Sequence, residues 1–483
     1  MTKNNSRSLL SNVFTVLIGA LLMGFLWRVR GTHGWGSSWG LLNAGIIFIL
    51  FITVALGDRK KMNFAWTSLS SLAFMLTVPA WGTLLNQITG VLNLEDGFAY
   101  VSPASGIFMM ICLGLGVASI FGIMLGRGYS DTRWRLRDFV ILIAVFYAVS
   151  YLAKAFISPF IIQLVQPESV KVFTDDLKLV GIDKSAYKVF LEHFDNDAWA
   201  KKFTMEALGR ISVAGRNYFQ EIKTISSAIA AIAVLFATRF IIKDKRAAAT
   251  GAVTCVAFAI SITVSDLFFY FGNGGYHMLQ ENVLPANFAP WSLWEYFTGF
   301  IAGGIITAYM LSLKEKDDFC EKAFYKMPEK LADILTFILG YGTIFGITIV
   351  RPVLERFDIW DRIENASDYI SEYDLSFAEG MKHFLLNNIT CLTIIGLSIV
   401  VTLAIIIVLT AKFGPSLKKV PYDKFCSFAL PCLTLFVFAA YLFIGSSEYM
   451  NYRDLGAFHN ILVVASFVAV TIWSSVKIVK INK

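Results

Sequence analysis

Along this chain of 483 residues, apolar stretches of 18 or more positions without a charged side chain recur at short intervals, separated by brief polar segments rich in Lys and Arg. About 20 such residues, coiled as a helix, span the hydrocarbon core of a bilayer. In hydrocarbon each backbone amide must find its partner inside its own segment, which leaves the helix as the natural spanning unit for runs of this length. The pattern predicts an all-α, polytopic transmembrane helix bundle of about twelve spans. They fall at roughly 10–27, 41–56, 63–87, 105–126, 139–165, 224–242, 251–272, 291–313, 332–352, 389–411, 425–446 and 460–476.

Two polar stretches are longer than the rest. Residues 166–223 form a mixed-charge, amphipathic segment with a helical pattern over Asn196 to Lys223, in which Trp199, Phe203, Leu208 and Ile211 recur at near-helical spacing. Residues 353–388 are rich in Asp and Glu. The chain therefore reads as spans one to five (1–165), the amphipathic segment (166–223), spans six to nine (224–352), the acidic segment (353–388), and spans ten to twelve with a short tail (389–483).

Composition agrees with a membrane environment. Hydrophobic residues make up 56% of the chain and charged residues 16%, against about 25% charged in soluble domains. The net charge of +7 follows topology and not nucleic acid, for which no motif is present. With the N-terminus inside, the seven inner segments hold 25 of the 42 Lys and Arg, nine more lie in the long 166–223 segment, and eight remain outside. Short loops rich in Lys and Arg stay cytoplasmic, whereas long loops cross largely regardless of charge. Both termini are thus expected in the cytoplasm, in the cell (inner) membrane of a cell with an envelope. The first apolar run resembles a signal sequence, but Arg28 and Arg30 follow it in place of a small-residue cleavage site, so it reads as a retained helix.

All five histidines and most of the acids fall on the outer side. The run from Trp27 to Gly40, WRVRGTHGWGSSWG, joins the first two spans and sets Arg28, Arg30 and His33 among four glycines. Exposed amides of such a loop can cradle an anion, and a guanidinium fork suits phosphate or carboxylate. Arginines that snorkel to headgroups and tryptophans that anchor the interface are the plainer alternative. Lys154, Asp266, Glu295, Arg351 and Glu448 are ionisable residues in the outer halves of spans, where charge is costly and calls for a partner. His277 lies further out, as do His383 and His459. Arg28, Arg30, His33, Lys154, Asp266, His277, Glu295, Arg351 and Glu448 are the candidate substrate-binding residues.

The six cysteines show neither disulfide nor metal-ligand spacing, and there is no phosphate-binding Gly-Lys loop, zinc-protease helix or serine-nucleophile elbow. No cofactor or metal is implied. The expected partners are the bilayer and an anionic small molecule or lipid-linked substrate, with no nucleic acid. Two functions fit: a transporter or flippase with an outward-facing polar site for an anionic solute or envelope lipid intermediate, or a membrane-embedded transferase of glycosyl, acyl or phospho type. A non-catalytic receptor is a third possibility. A midplane nearly empty of charge speaks against an ion-coupled pump.

Overall fold

The computed structural model describes residues 3–32, 38–56, 91–94, 97–100, 102–130, 132, 134–194, 214–272, 285, 287–313, 376–417, 422–443 and 457–481. Within these the chain is helical apart from one antiparallel pair, β1 (Val91–Leu94) and β2 (Gly97–Tyr100), in which Val91 faces Tyr100 and Leu94 faces Gly97. The spans expected at 63–87 and 332–352 lie outside the described residues. Six described helices are long and apolar enough to cross a membrane, or seven if one bent pair counts as a span.

The helices are α1 (Lys3–Thr32), α2 (Ser38–Leu56), α3 (Pro103–Gly128), α4 (Leu136–Phe156), α5 (Ser158–Val165), α6 (Pro167–Leu179), α7 (Ala186–Glu192), α8 (Ala214–Phe236), α9 (Lys245–Gly272), α10 (Pro290–Ser312), α11 (Phe377–Asn387), α12 (Ile389–Leu417), α13 (Tyr422–Phe443) and α14 (Phe458–Ile481). Two segments divide differently from the sequence pattern. The apolar run 139–165 breaks at Ile157, because Pro159 in the first turn of α5 has no amide hydrogen to continue the preceding helix. The amphipathic 166–223 segment starts with the short helices α6 and α7, and its last ten residues already belong to α8, which runs on into the apolar span. In this segment Lys184 donates to both carboxylate oxygens of Glu192 at 2.8 Å and holds its carboxyl below the usual range.

The chain forms two compact units: Met1–Tyr325 with Cys426–Lys483, and Lys326–Phe425. In the first, neighbouring helices run in the order α4, α8, α3, α9, α10, α1, with α2 and α14 packed on α1. Lipid supplies no hydrophobic drive between spans, so close backbone approach through small residues has to do the joining. On α10, a side chain at Gly299 would strike the Met23 carbonyl of α1 and one at Gly303 the Gly19 carbonyl. Along α3, a side chain at Gly114 would strike the Ala259 backbone of α9, and one at Gly122 or Gly126 the side chain of Thr254 or Thr250. The outward row Val140, Tyr147, Tyr151 and Leu152 of α4 is exposed, as suits a lipid-facing surface.

At one end of this unit α8 closes in a π-helical turn, Ala237–Ile241, and Lys243 takes a left-handed conformation at φ 65°. Asp244 then caps α9, accepting from the amide of Ala247 at 2.9 Å. The same buried carboxylate accepts from Ser130 Oγ and from Trp134 Nε1, each at 2.8 Å, which ties the α3–α4 connection to the α8–α9 turn.

In the second unit Ser376 and Glu379 form a capping box at the start of α11. The chain bends by 80° at Asn388 into α12, and Cys391 and Ile395 pack with Phe384 and Leu392 around the bend.

Candidate functional site

The site is assembled at the end of the first unit opposite Asp244. Helix α1 continues through Thr32, two residues beyond Arg30, so Arg28 and Arg30 stay helical and leave the axis about 200° apart. The chain does not turn away at Gly31. Instead the two side chains reach one place by different routes. Arg28 points at α10 and donates from Nη1 to Glu295 Oε2 at 2.6 Å. Arg30 folds back along its own helix, with Cζ 4.5 Å from the centre of the Trp27 ring three residues earlier. Arg30 still lies within electrostatic reach of both Arg28 and Glu295. Arg28, Arg30 and Glu295 are only 3%, 4% and 8% exposed.

His459, the second residue of α14, lies within electrostatic reach of Arg28, and the residue is 8% exposed. Its Nδ1 has no hydrogen-bond partner among the described residues. The start of α14 is held against the chain entering α10, where the Phe458 amide donates to the Asn287 carbonyl at 3.2 Å. The rings of Phe458 and Phe288 stack there at 4.4 Å. Deeper in, Tyr296 and Ser466 share a hydrogen bond of 2.7 Å between α10 and α14.

Aromatic rings join α9 to the two helices that carry these charges. Trp27 meets Phe258 of α9 at 5.1 Å, and Phe269 of α9 meets both Trp291 and Trp294 of α10. Asp266 is fully buried on α9, one turn before Phe269. Lys154 stands elsewhere: it is on α4, with α8, α3 and α9 between it and α10 in the packing order, and its Nζ is 5.3 Å from the centre of the Phe194 ring. His33, His277, Arg351 and Glu448 lie outside the described residues. Among the described residues no three His, Cys, Asp or Glu side chains are grouped as metal ligands would be.

No known protein family, curated protein or solved structure matches this chain. Its chemistry is therefore read from the side chains alone. Two guanidinium groups, a carboxylate and an imidazole meet in a poorly hydrated place, where charge interactions are strong. Such a set can bind an anion by exchanging it for the internal carboxylate on Arg28. The sequence sets His459 further out than these charges and does not bring it among the candidate residues. The signal that distinguishes it is its position at the onset of an apolar helix, where the first turn is fixed by packing and the side chain is carried inward.

Proposed function

We propose that the chain is a multi-pass protein of the cell (inner) membrane, with about twelve crossings and both termini cytoplasmic. It acts as a transporter or flippase for an anionic solute or an anionic envelope lipid. The observation that supports this reading is the convergence of Arg28 and Arg30 on the buried Glu295 at the helix ends that the charge bias assigns to the outer side. Burying an ion pair is seldom a route to stability, since desolvation offsets most of the Coulomb gain. A buried pair of this kind suits a binding site held closed by an internal anion. Substrate phosphate or carboxylate takes the place of Glu295 on Arg28 and engages Arg30, and release restores the internal pair.

His459 favours one second reading. A buried imidazole beside Arg28 is able to move a proton, which fits the transferase alternative at the same site.

The test uses purified protein in vesicles, with short-chain phosphatidic acid and inorganic phosphate as probes and tryptophan fluorescence as the binding readout, since Trp27 lies under Arg30. A charge-assisted hydrogen bond contributes about 1.5–3 kcal/mol, so Arg28→Ala or Arg30→Ala should weaken binding roughly ten- to a hundredfold. Arg28→Lys should recover only part of a bidentate contact. Protein-dependent movement of the probe between leaflets or compartments supports the transporter, and covalent turnover lost in His459→Gln with binding retained supports the transferase. Normal binding and movement in the Arg28→Ala, Arg30→Ala double variant overturns both.

A further inference from the structure

The opposite end of the same unit holds a second basic site. Lys243, Lys245 and Arg246 converge with Thr132 and Tyr309 on a cavity of about 460 Å³, which Ala249 and Leu313 also line. Glu295 and Leu313 are 18 residues apart on and just past α10, about 27 Å of helix, close to the thickness of a hydrocarbon core. The cavity thus sits about one bilayer away from the arginine site, at the end that the charge bias assigns to the cytoplasm.

Three features make it more than a basic loop. Arg246 is fixed at the wall by donating from Nη1 to the Tyr129 carbonyl at 3.0 Å. Lys243 occupies a left-handed backbone conformation that glycine or asparagine would adopt at lower cost, so its side chain is held at the cavity against that cost. Asp244 lies between the cations in sequence but forms no ion pair with them among the described residues. Its carboxylate is fully buried and already accepts from Ser130, Trp134 and the Ala247 amide.

We infer that this cavity binds the phosphate-bearing headgroup of an anionic lipid of the inner leaflet. Phosphate is the ligand that three cations and two hydroxyls would hold in common, whether it comes from a lipid or from solution. The lipid is favoured by what adjoins it. The side chains of Phe236, Phe240 and Ile241 are exposed on the turn that leads into Lys243, and the two phenyl rings stack at 5.8 Å. This apolar surface lies where acyl chains would follow a headgroup held at Lys243.

The experiment uses the full-length protein in nanodiscs of phosphatidylcholine, with or without phosphatidylglycerol, and in detergent with inorganic phosphate. Native mass spectrometry counts retained lipids and thermal unfolding reports stabilisation. Wild-type protein should retain phosphatidylglycerol over phosphatidylcholine and gain stability from it, with the gain reduced by salt. Lys243→Gln with Lys245→Gln should weaken retention by roughly thirtyfold, at about fivefold for each charge near the surface. Lys243→Gly relieves the backbone conformation, so it should fold at least as well as wild type and still lose about fivefold. Stabilisation by inorganic phosphate equal to that by phosphatidylglycerol would overturn the lipid assignment. Unchanged lipid retention in both Lys243 variants would overturn the site.

Discussion

Arg28 on α1 donates to Glu295 on α10 across 2.6 Å, though 267 residues separate the two in sequence. The pair joins two helices whose backbones are already in contact through Gly19, Met23, Gly299 and Gly303. Packing thus brings the charges together, and the charges then define the end of the interface. Removing Glu295 leaves Arg28 and Arg30 as neighbouring buried cations, a loss of about 3–5 kcal/mol for a broken buried pair. Glu295→Gln should therefore lower the unfolding temperature, and phosphate should restore much of the difference by supplying the missing negative charge. Arg28→Ala should be destabilised without such rescue. Equal phosphate effects on both variants would separate the ion pair from any anion site.

The charge asymmetry makes a test of orientation. In a cysteine-free background on intact cells, Asp183→Cys and a cysteine near residue 370 should react with an impermeant thiol reagent. Thr132→Cys and a cysteine near residue 418 should react only after the membrane is opened. Labelling of the second pair on intact cells reverses the orientation, and mixed results within a pair change the number of crossings.

Gly299 and Gly304 lie on one helix and should respond differently to the same substitution. A methyl group at Gly299 would meet the Met23 carbonyl and the Trp27 Cβ, whereas at Gly304 it meets only the Ala20 Cβ at an ordinary 3.4 Å. Overpacking costs about 1–3 kcal/mol, and moving α1 also disturbs the Arg28–Glu295 contact. Gly299→Ala should lower both the unfolding temperature and anion binding. Gly304→Ala should leave both unchanged or raise stability slightly, because alanine is the better helix former by roughly 1 kcal/mol.

Helix positions were the most legible part of this chain. The bounds of α1, α2, α3, α10, α13 and α14 fall within a few residues of the apolar runs, except where a helix extends past the apolar run into polar residues, as α1 does at Lys3–Leu9. That success has a simple cause: lipid enforces long apolar segments whatever the tertiary contacts. The break at Pro159 was also visible in principle, since proline sits inside the run. Pairing was not legible. Lys154 and Glu295 look alike in sequence, each a lone charge near a span end, yet one meets Arg28 and the other lies against Phe194. Which of these happens depends on the neighbour order of the helices, and that order is written in glycine faces too short to stand out in the sequence. Asp244 was hidden for the same reason, because two of its three donors come from a connection more than a hundred residues earlier.

Asp244 allows a sharper test of that connection. One oxygen accepts from Ser130 and the Ala247 amide, and the other accepts from the indole of Trp134. Asparagine offers only one acceptor oxygen. Turned toward Ala247 it presents its amide hydrogens to the Trp134 N–H, and turned toward Trp134 it presents them to the Ala247 N–H, so one donor faces a donor either way. Asp244→Asn should therefore cost about 1.5–3 kcal/mol, the worth of one hydrogen bond to a charged group. Trp134→Phe removes the indole donor and leaves the carboxylate with two partners. Combined with Asp244→Asn, it lets the asparagine oxygen face Ser130 and Ala247 with no opposing donor. The double variant should lose less than the two single losses added together, by about 0.5–3 kcal/mol, the range seen for residues in direct contact. Unfolding of the four proteins in one detergent measures this coupling. Strict additivity would mean that Trp134 contributes through packing alone, and that the buried carboxylate is held by Ser130 and the cap of α9.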